Sequence, residues 1–366
     1  MAGWASQQQS APPAAPSNRP LGQSITGVGT LLLWFTSART MAAALSFLRD
    51  RSRAYLVDGS SVSLRLLDGE APEIVLELCG HFSRKEAEHT RALFVGGSAQ
   101  PRASDCGGLV SLAVLAAIAR SGNLIDQLAQ GRFTSHFHAI VEARAPYRVF
   151  AHEALLRGLD HQGCLQAPEP LFALARASGL LPELDAAACR TAIRSAVRHG
   201  LGHGVFINFA PAAVEDPERH LAALEAVFGE AGLSKQSVVF EVVEADRLDN
   251  SEQLEQILRA YRNAGFRFAL DDLGAGWSSL GLVHRIQPDF IKLDRALIRG
   301  VHQDGVKAKI VGKLLELCRE LGIASIVEGV EEMAELRWVC DHGADFVQGF
   351  LYGRPTEIPV LHLAIA

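Results

Sequence analysis

Residues 266–280 read FRFALDDLGAGWSSL, an apolar run that ends on two adjacent aspartates, Asp271 and Asp272, and then breaks into glycine. The same pattern recurs through the last two-thirds of the chain. RVFAHE ends at Glu153, VFIN at Asn208, VVFE at Glu241, FIK at Lys292, SIVE at Glu328 and DFVQ at Gln348. Short apolar runs of this length read as buried strands. Between them lie amphipathic stretches such as LDAAACRTAIRSAVRHG, RHLAALEAVFGEAG, EQLEQILRAYRNAG and KAKIVGKLLELCRELG, several closing on a glycine suited to a helix C-terminus. Strand–helix alternation argues a parallel sheet. A polar residue at each strand end argues closure into a β/α barrel, whose strand ends surround one mouth. The alternative architecture is an open doubly wound sheet.

One pair of runs departs from this rule. HFHAIVEA and YRVFAHEALL are joined by a few residues around Ala145-Pro146, too few for a crossover helix, so the first strand must run antiparallel to the second. The fold expected is a (β/α)8 TIM-like barrel over residues 122–366 with an antiparallel first strand. A small α+β domain over 25–98 precedes it. There TLLLWF, AYLV, SVSLRLL and EIVLELC read as strands, and ARTMAAALSFLRDR and SRKEAEHTRALF as helices. Residues 1–24 form a low-complexity tail that lacks the apolar surface to fold alone. Residues 99–121 comprise a linker, around GGSAQPRASDCGG, and a helix broken near Ser121-Gly122.

Composition narrows the function. A chain of 366 residues that is 48% hydrophobic and 21% charged has material for a large core. A net charge of −6 excludes a protein that coats nucleic acid, which needs a basic face. Six cysteines at 79, 106, 164, 189, 318 and 340 form no CxxC pair, as expected of free thiols in a reducing compartment. The apolar stretch 25–37 is too short to span a bilayer, and the first twenty residues lack a basic-then-apolar leader. A cytoplasmic location follows as the expectation.

The strand-end acids carry the chemistry. Glu153, Glu241, Asp271, Asp272 and Glu328 would converge on one mouth, where like charges repel and are stable mainly around a cation. Oxygen donors with one amide, Asn208, suit Mg2+ or Mn2+ rather than Zn2+. Asp271 is placed to bridge two ions, the arrangement that clamps both oxygens of an in-line phosphoryl displacement. Lys292 suits the phosphate charge or the attacking water. Singly, each motif is ordinary: an Asp-Asp pair is most often a helix cap or solvated turn. One polar residue per strand end, repeated around the barrel, is not.

The ordered motifs resemble the EAL domain, a bacterial phosphodiesterase family for the second messenger cyclic di-GMP, over residues 122–358. Its signature is Glu153-Ala154-Leu155, continued by Leu156-Arg157. FINFA resembles its Asn-containing strand, and Glu241 and Glu244 its glutamate pair. DDLGAGWSSL (271–280) is similar to DDFGTGYSSL, PDFIKLD (288–294) to its Lys-Ile-Asp strand, VEGVE (327–331) to AEGVE, and QGFLYGRP (348–355) to its closing motif.

The resemblance implies metal-dependent opening of cyclic di-GMP to linear pGpG. It implies one ion on Glu153, Asn208, Glu241 and Asp271, and a second near Asp271, Asp272 and Glu328. Lys292 and Glu328 resemble the residues that orient or activate water, and Gln348 and Asp272 residues that line the site and bind substrate. Arg157 resembles a substrate-binding arginine, Glu244 the anchor of loop 273–280, and Glu331 an acid behind the ligands. A homodimer is implied as well. Leu273, Ala275 and Trp277 replace the usual Phe, Thr and Tyr, and His138-Ala139 the usual Gln-Pro. These departures bear on rate, dimer coupling and base recognition, and none removes a metal ligand. The rival expectation is a catalytically silent receptor for the same nucleotide, with a protein partner reached through residues 25–98.

Overall fold

The structure, a computed structural model, describes residues 25, 27–97, 108–202, 204–243, 251–274 and 279–363. The chain divides into two compact units, residues 1–125 and 126–366.

The first unit is a five-stranded antiparallel sheet in the order β2-β3-β1-β4-β5, with β1 (Gly29–Trp34), β2 (Leu56–Asp58), β3 (Ser61–Leu66), β4 (Arg91–Gly96) and β5 (Val110–Ser111). Helix α1 (Ala38–Asp50) joins β1 to β2, and α2 (Glu70–His81) with α3 (Arg84–His89) joins β3 to β4. This is a split β-α-β arrangement. Its core gathers Leu31, Leu33, Val62, Leu64 and Leu66 from the sheet with Ile74, Val75 and Leu78 from α2. Helix α4 (Leu112–Arg120) adds Leu112, Leu115 and Ala116 to the same core, so this unit's packing extends past residue 98.

Two readings need correction here. EIVLELC is not a strand but the body of α2. Its buried residues Ala71, Ile74, Val75 and Leu78 recur at helical spacing, Gly69 enters it in the left-handed conformation (φ 81), and Glu70 and Glu73 occupy its first turn. SRKEAEHTRALF is not one helix either. A Ser83–Glu86 capping box starts α3, but Thr90 is already extended, and Arg91 to Val95 pair with β1.

The second unit is the expected barrel. Its strands are β6 (Phe133–Glu142), β7 (Ala145–Leu159), β8 (Leu165–Gln166), β9 (Val205–Phe209), β10 (Val238–Val243), β11 (Arg267–Leu273), β12 (Phe290–Leu293), β13 (Ala324–Val327) and β14 (Phe346–Val347). They run in the order β6-β14-β13-β12-β11-β10-β9-β7, and a β6–β7 ladder closes the ring, with β8 added at the end of β7. Strand β6 pairs antiparallel with both neighbours, and β7 and β9 to β14 pair parallel. Helices fill the connections between the parallel strands, among them Pro168–Ser178, Pro217–Ala231 and Gly305–Leu321, which Gly179, Gly232 and Gly322 cap in the left-handed conformation.

Strand alternation sorts the barrel residues into two sets. Outward residues such as Ile207, Phe240, Leu270 and Ile291 join the helices in the main core. Inward residues Ile140, Ala151, Phe206, Val239, Ala269, Phe290 and Ile326 form a separate apolar layer across the interior. No described helix is long and apolar enough to cross a membrane.

Candidate active site

Every expected metal or water residue of the parallel strands except Asp272 lies two positions beyond a member of that apolar layer. Glu153 follows Ala151, Asn208 follows Phe206, Glu241 follows Val239, Asp271 follows Ala269, Lys292 follows Phe290 and Glu328 follows Ile326. A period of two keeps both on the inward face, so these six side chains form one ring above the apolar layer. Gln348 stands in the same relation to Phe346, which packs against that layer. Strand β6 runs the other way, so its contribution comes two residues before Ile140: His138, paired across the ladder with Glu153.

Lys292 is the hub. Its Nζ lies 2.7 Å from Glu241 Oε1, 2.7 Å from Glu328 Oε1, 3.1 Å from Asp271 Oδ1 and 3.6 Å from Glu153 Oε2. It is 1% exposed, and Glu241 is 0% exposed. Asn208 Nδ2 donates to Glu153 Oε1 (3.3 Å), and Gln348 Nε2 donates to Glu153 Oε2 (2.8 Å) and meets His138 Nδ1 at 2.9 Å.

Asp271 and Asp272 are adjacent, yet both reach the mouth. The β11–β12 register shifts between Leu270 and Leu273, and Asp272 adopts φ 57, a left-handed backbone that aspartate tolerates better than most side chains. That kink replaces the usual alternation and leaves carboxylate oxygens of Asp271, Asp272 and Glu328 within 4.8 Å of one another.

The electrostatics show a cluster short of positive charge. Five carboxylates face one ammonium. Burial pushes Glu241 well above the usual carboxylate range, with Glu153 and Asp271 adding to the effect. Burial and the charge of Asp271 raise Asp272 to about 6, and burial raises Glu328 to about 8. Burial opposes the charge of Glu153 too, but Lys292 and the Gln348 amide outweigh it and hold the carboxyl low. Burial also works against the charge on Lys292, and the surrounding carboxylates override it and keep the amine protonated.

The donor set fits a divalent cation. Although Glu241 Oε1 is close to Lys292, neither Glu241 oxygen has an aligned hydrogen bond, and neither does Asp271 Oδ1. Buried carboxylate oxygens left in this state cost free energy that a cation recovers. A cavity of about 190 Å3 opens on the Glu153–Glu328 side of the ring, lined among others by His138, Glu153, Glu328 and Gln348.

The other expected residues divide. Arg157 lies on β7 on the same face as Glu153, half-buried, and donates to the Leu156 carbonyl (2.8 Å) rather than joining the contacts around Lys292. Glu331 lines the cavity at its edge, 3.8 Å from Arg295. Glu244, Ala275 and Trp277 lie outside the described residues, while Leu273 is buried in the main core.

Several contributors were not anticipated. Besides His138 they are Arg295, packed where a side chain at Gly329 would stand, and Phe350, 6.0 Å from the His138 ring. Buried Glu335 takes the backbone N–H groups of Gly300, Glu331 and Glu332, which pins the loop after Glu328.

Comparison with known proteins agrees with this geometry. The EAL domain family model matches residues 121–355. "Cyclic di-GMP phosphodiesterase PdeB" of Shewanella oneidensis is 29% identical over 211 residues, 56% of this chain and 24% of that protein. The present chain therefore spans about a quarter of that relative. A standalone EAL protein of Vibrio cholerae, solved in a c-di-GMP-bound form, is 30% identical with a TM-score of 0.57, covering 63% of this chain and 95% of that one. Klebsiella pneumoniae BlrP1, described as a manganese/cy-diGMP complex, is 24% identical with a TM-score of 0.56 over 90% of this chain and 96% of that one, a likeness of fold. The ring of acids, the single lysine among them and the family match over 121–355 lead to one conclusion: this chain belongs to the EAL domain family.

Proposed function

We propose that this chain hydrolyses cyclic di-GMP to linear pGpG with the help of Mg2+ or Mn2+. The observation that carries the reading is the convergence of Glu153, Asn208, Glu241, Asp271, Asp272 and Glu328 at one barrel mouth, where the acids share the single ammonium of Lys292. In this reading Glu153, Asn208, Glu241 and Asp271 hold one cation, and Asp271, Asp272 and Glu328 a second. Bound divalent cations lower the pKa of water and polarise the phosphoryl oxygens.

The protein's own residues supply the rest. Lys292 stays charged, so it serves as a fixed cation that orders the acids and neutralises the phosphate, not as a base. Glu328, 2.7 Å from the Lys292 ammonium at the mouth, is the side chain assigned in this reading to accept a proton from the attacking water. Gln348 and Asn208 hold Glu153 from both oxygens, which fixes where it points. Arg157 and Arg295, near but outside the acidic ring, serve the nucleotide's charged or guanine edges, where a planar fork is apt. A chain of this family that works as a homodimer and takes signals through its first unit accords with the sequence expectation.

Incubation of purified protein with cyclic di-GMP and Mn2+ or Mg2+, with a chelator control, tests the reading. Appearance of pGpG that the chelator abolishes supports it. Nucleotide binding without turnover at saturating cation supports the receptor instead and refutes the enzyme.

A further inference from the structure

The inward layer at the amino ends of the barrel strands is built unlike the layers above it. Two residues from the apolar layer in the other direction stand Glu142, Gly204, Ser237 and Arg267. Barrel interiors are ordinarily packed with bulky side chains. Here Gly204 brings its backbone against Ala151, Ser237 is small, and a cavity of about 580 Å3 opens at the barrel floor. That volume is in the range of small-molecule sites.

Arg267 is the charge inside it. Its Nη2 donates to the Gln236 carbonyl (2.7 Å) and its guanidinium carbon sits 5.5 Å over the Phe290 ring. Its Nε is buried without a hydrogen-bond partner. Among the described residues no carboxylate pairs with it. The acid in the cavity, Glu142, is turned to Arg148 (3.3 Å), whose side chain is 75% exposed. Two guanidinium groups therefore face one carboxylate. Phe150, stacked on Phe346 at 3.9 Å, gives the cavity a rigid apolar wall. Beside it the Ser234 hydroxyl accepts from Gln236 N–H and retains its proton to donate.

We propose that the barrel floor is a second ligand site, which takes the phosphate group of a phosphorylated small molecule, with Arg267 gripping it and Arg148 closing from the exposed edge. A guanidinium fork offers paired donors to phosphate oxygens, and the aromatic wall suits an organic body attached to the phosphate. Because β11 begins at Arg267 and carries Asp271 and Asp272 at its far end, a ligand here presses on the strand that presents two site acids.

Titration calorimetry on the full chain in chelator tests the site while keeping cations from the mouth. The probes are ribose 5-phosphate and inorganic phosphate, with ribose as the uncharged control. Saturable binding of a phosphate probe is expected, weakened at least tenfold by Arg267→Gln and severalfold by Arg148→Gln, and unchanged by Glu328→Gln. Tighter binding of the sugar phosphate identifies a metabolite as the occupant, and equal binding identifies the free anion. If Arg267→Gln fails to fold, the exposed Arg148→Gln decides. No saturable binding, equal affinity in the arginine variants, or loss in Glu328→Gln alone overturns the proposal.

Discussion

Lys292 Nζ and Glu328 Oε1 meet at 2.7 Å inside the barrel mouth, the lysine 1% and the glutamate side chain 17% exposed. The pair places the carboxylate assigned to water activation beside a cation that cannot take its proton. Glu328→Gln keeps the shape and removes the acceptor. At saturating Mn2+ the expected result is a fall in kcat of about 10²–10⁴-fold with KM changed much less, measured by pGpG formation. A rise in KM alone contradicts a role in the chemical step.

Lys292→Met leaves four close carboxylates without their buried counter-charge. Breaking such a buried network costs roughly 3–5 kcal/mol. The loss should appear in urea denaturation of the cation-free protein at pH 8 and shrink at pH 5, where Glu241, Glu328 and Asp272 can protonate. Equal loss at both pH values contradicts an electrostatic origin.

The raised carboxyl groups also set the pH dependence of the cation-free barrel. Glu328 at about 8 and Asp272 at about 6 bind protons more tightly folded than unfolded. Their contribution is fully present below the unfolded carboxylate range and is lost as pH rises through 6 and 8. Tm in chelator should therefore fall between pH 5 and pH 8, and added Mn2+ should flatten or reverse that slope by favouring the ionised acids. A Tm that rises over this window in chelator contradicts the assigned environment.

Gly349 follows Gln348, and a methyl group added there would stand 2.1 Å from the Val330 carbonyl oxygen and 2.4 Å from its nitrogen. Backbone cannot yield as a flexible side chain does. Gly349→Ala should displace Gln348 from Glu153 and lower both Tm and turnover, a loss visible in thermal unfolding and in the pGpG assay. A variant with native Tm and rate would mean that this contact relaxes freely.

The barrel was legible because each strand ends on a residue out of place in an apolar run, and because Ala145-Pro146 left no room for a crossover. The two-residue offset between apolar layer and site ring is also sequence information, and with the first strand read as antiparallel it would have placed His138 in the ring; the missing step was identifying Ile140 as that strand's member of the apolar layer. Asp272 was legible as an acid at the mouth, though not as a left-handed residue at a register shift, since nothing local distinguishes it from Asp271. Arg295 and Phe350 reach the cavity only when the last strands close the ring, so no spacing announces them. EIVLELC misled because a short apolar run suits either element, and its buried face follows the helical period once Gly69 and the acidic first turn are read with it.

The account rests on the acids at the barrel mouth forming a divalent-cation site. Mn2+ titration of the chelator-stripped protein, followed by electron paramagnetic resonance, measures that directly, with Asp271→Asn as the comparison. The account predicts saturable binding in the parent chain and its loss in Asp271→Asn at unchanged secondary structure. Free manganese throughout the titration of the parent chain, or undiminished binding in the variant, contradicts it.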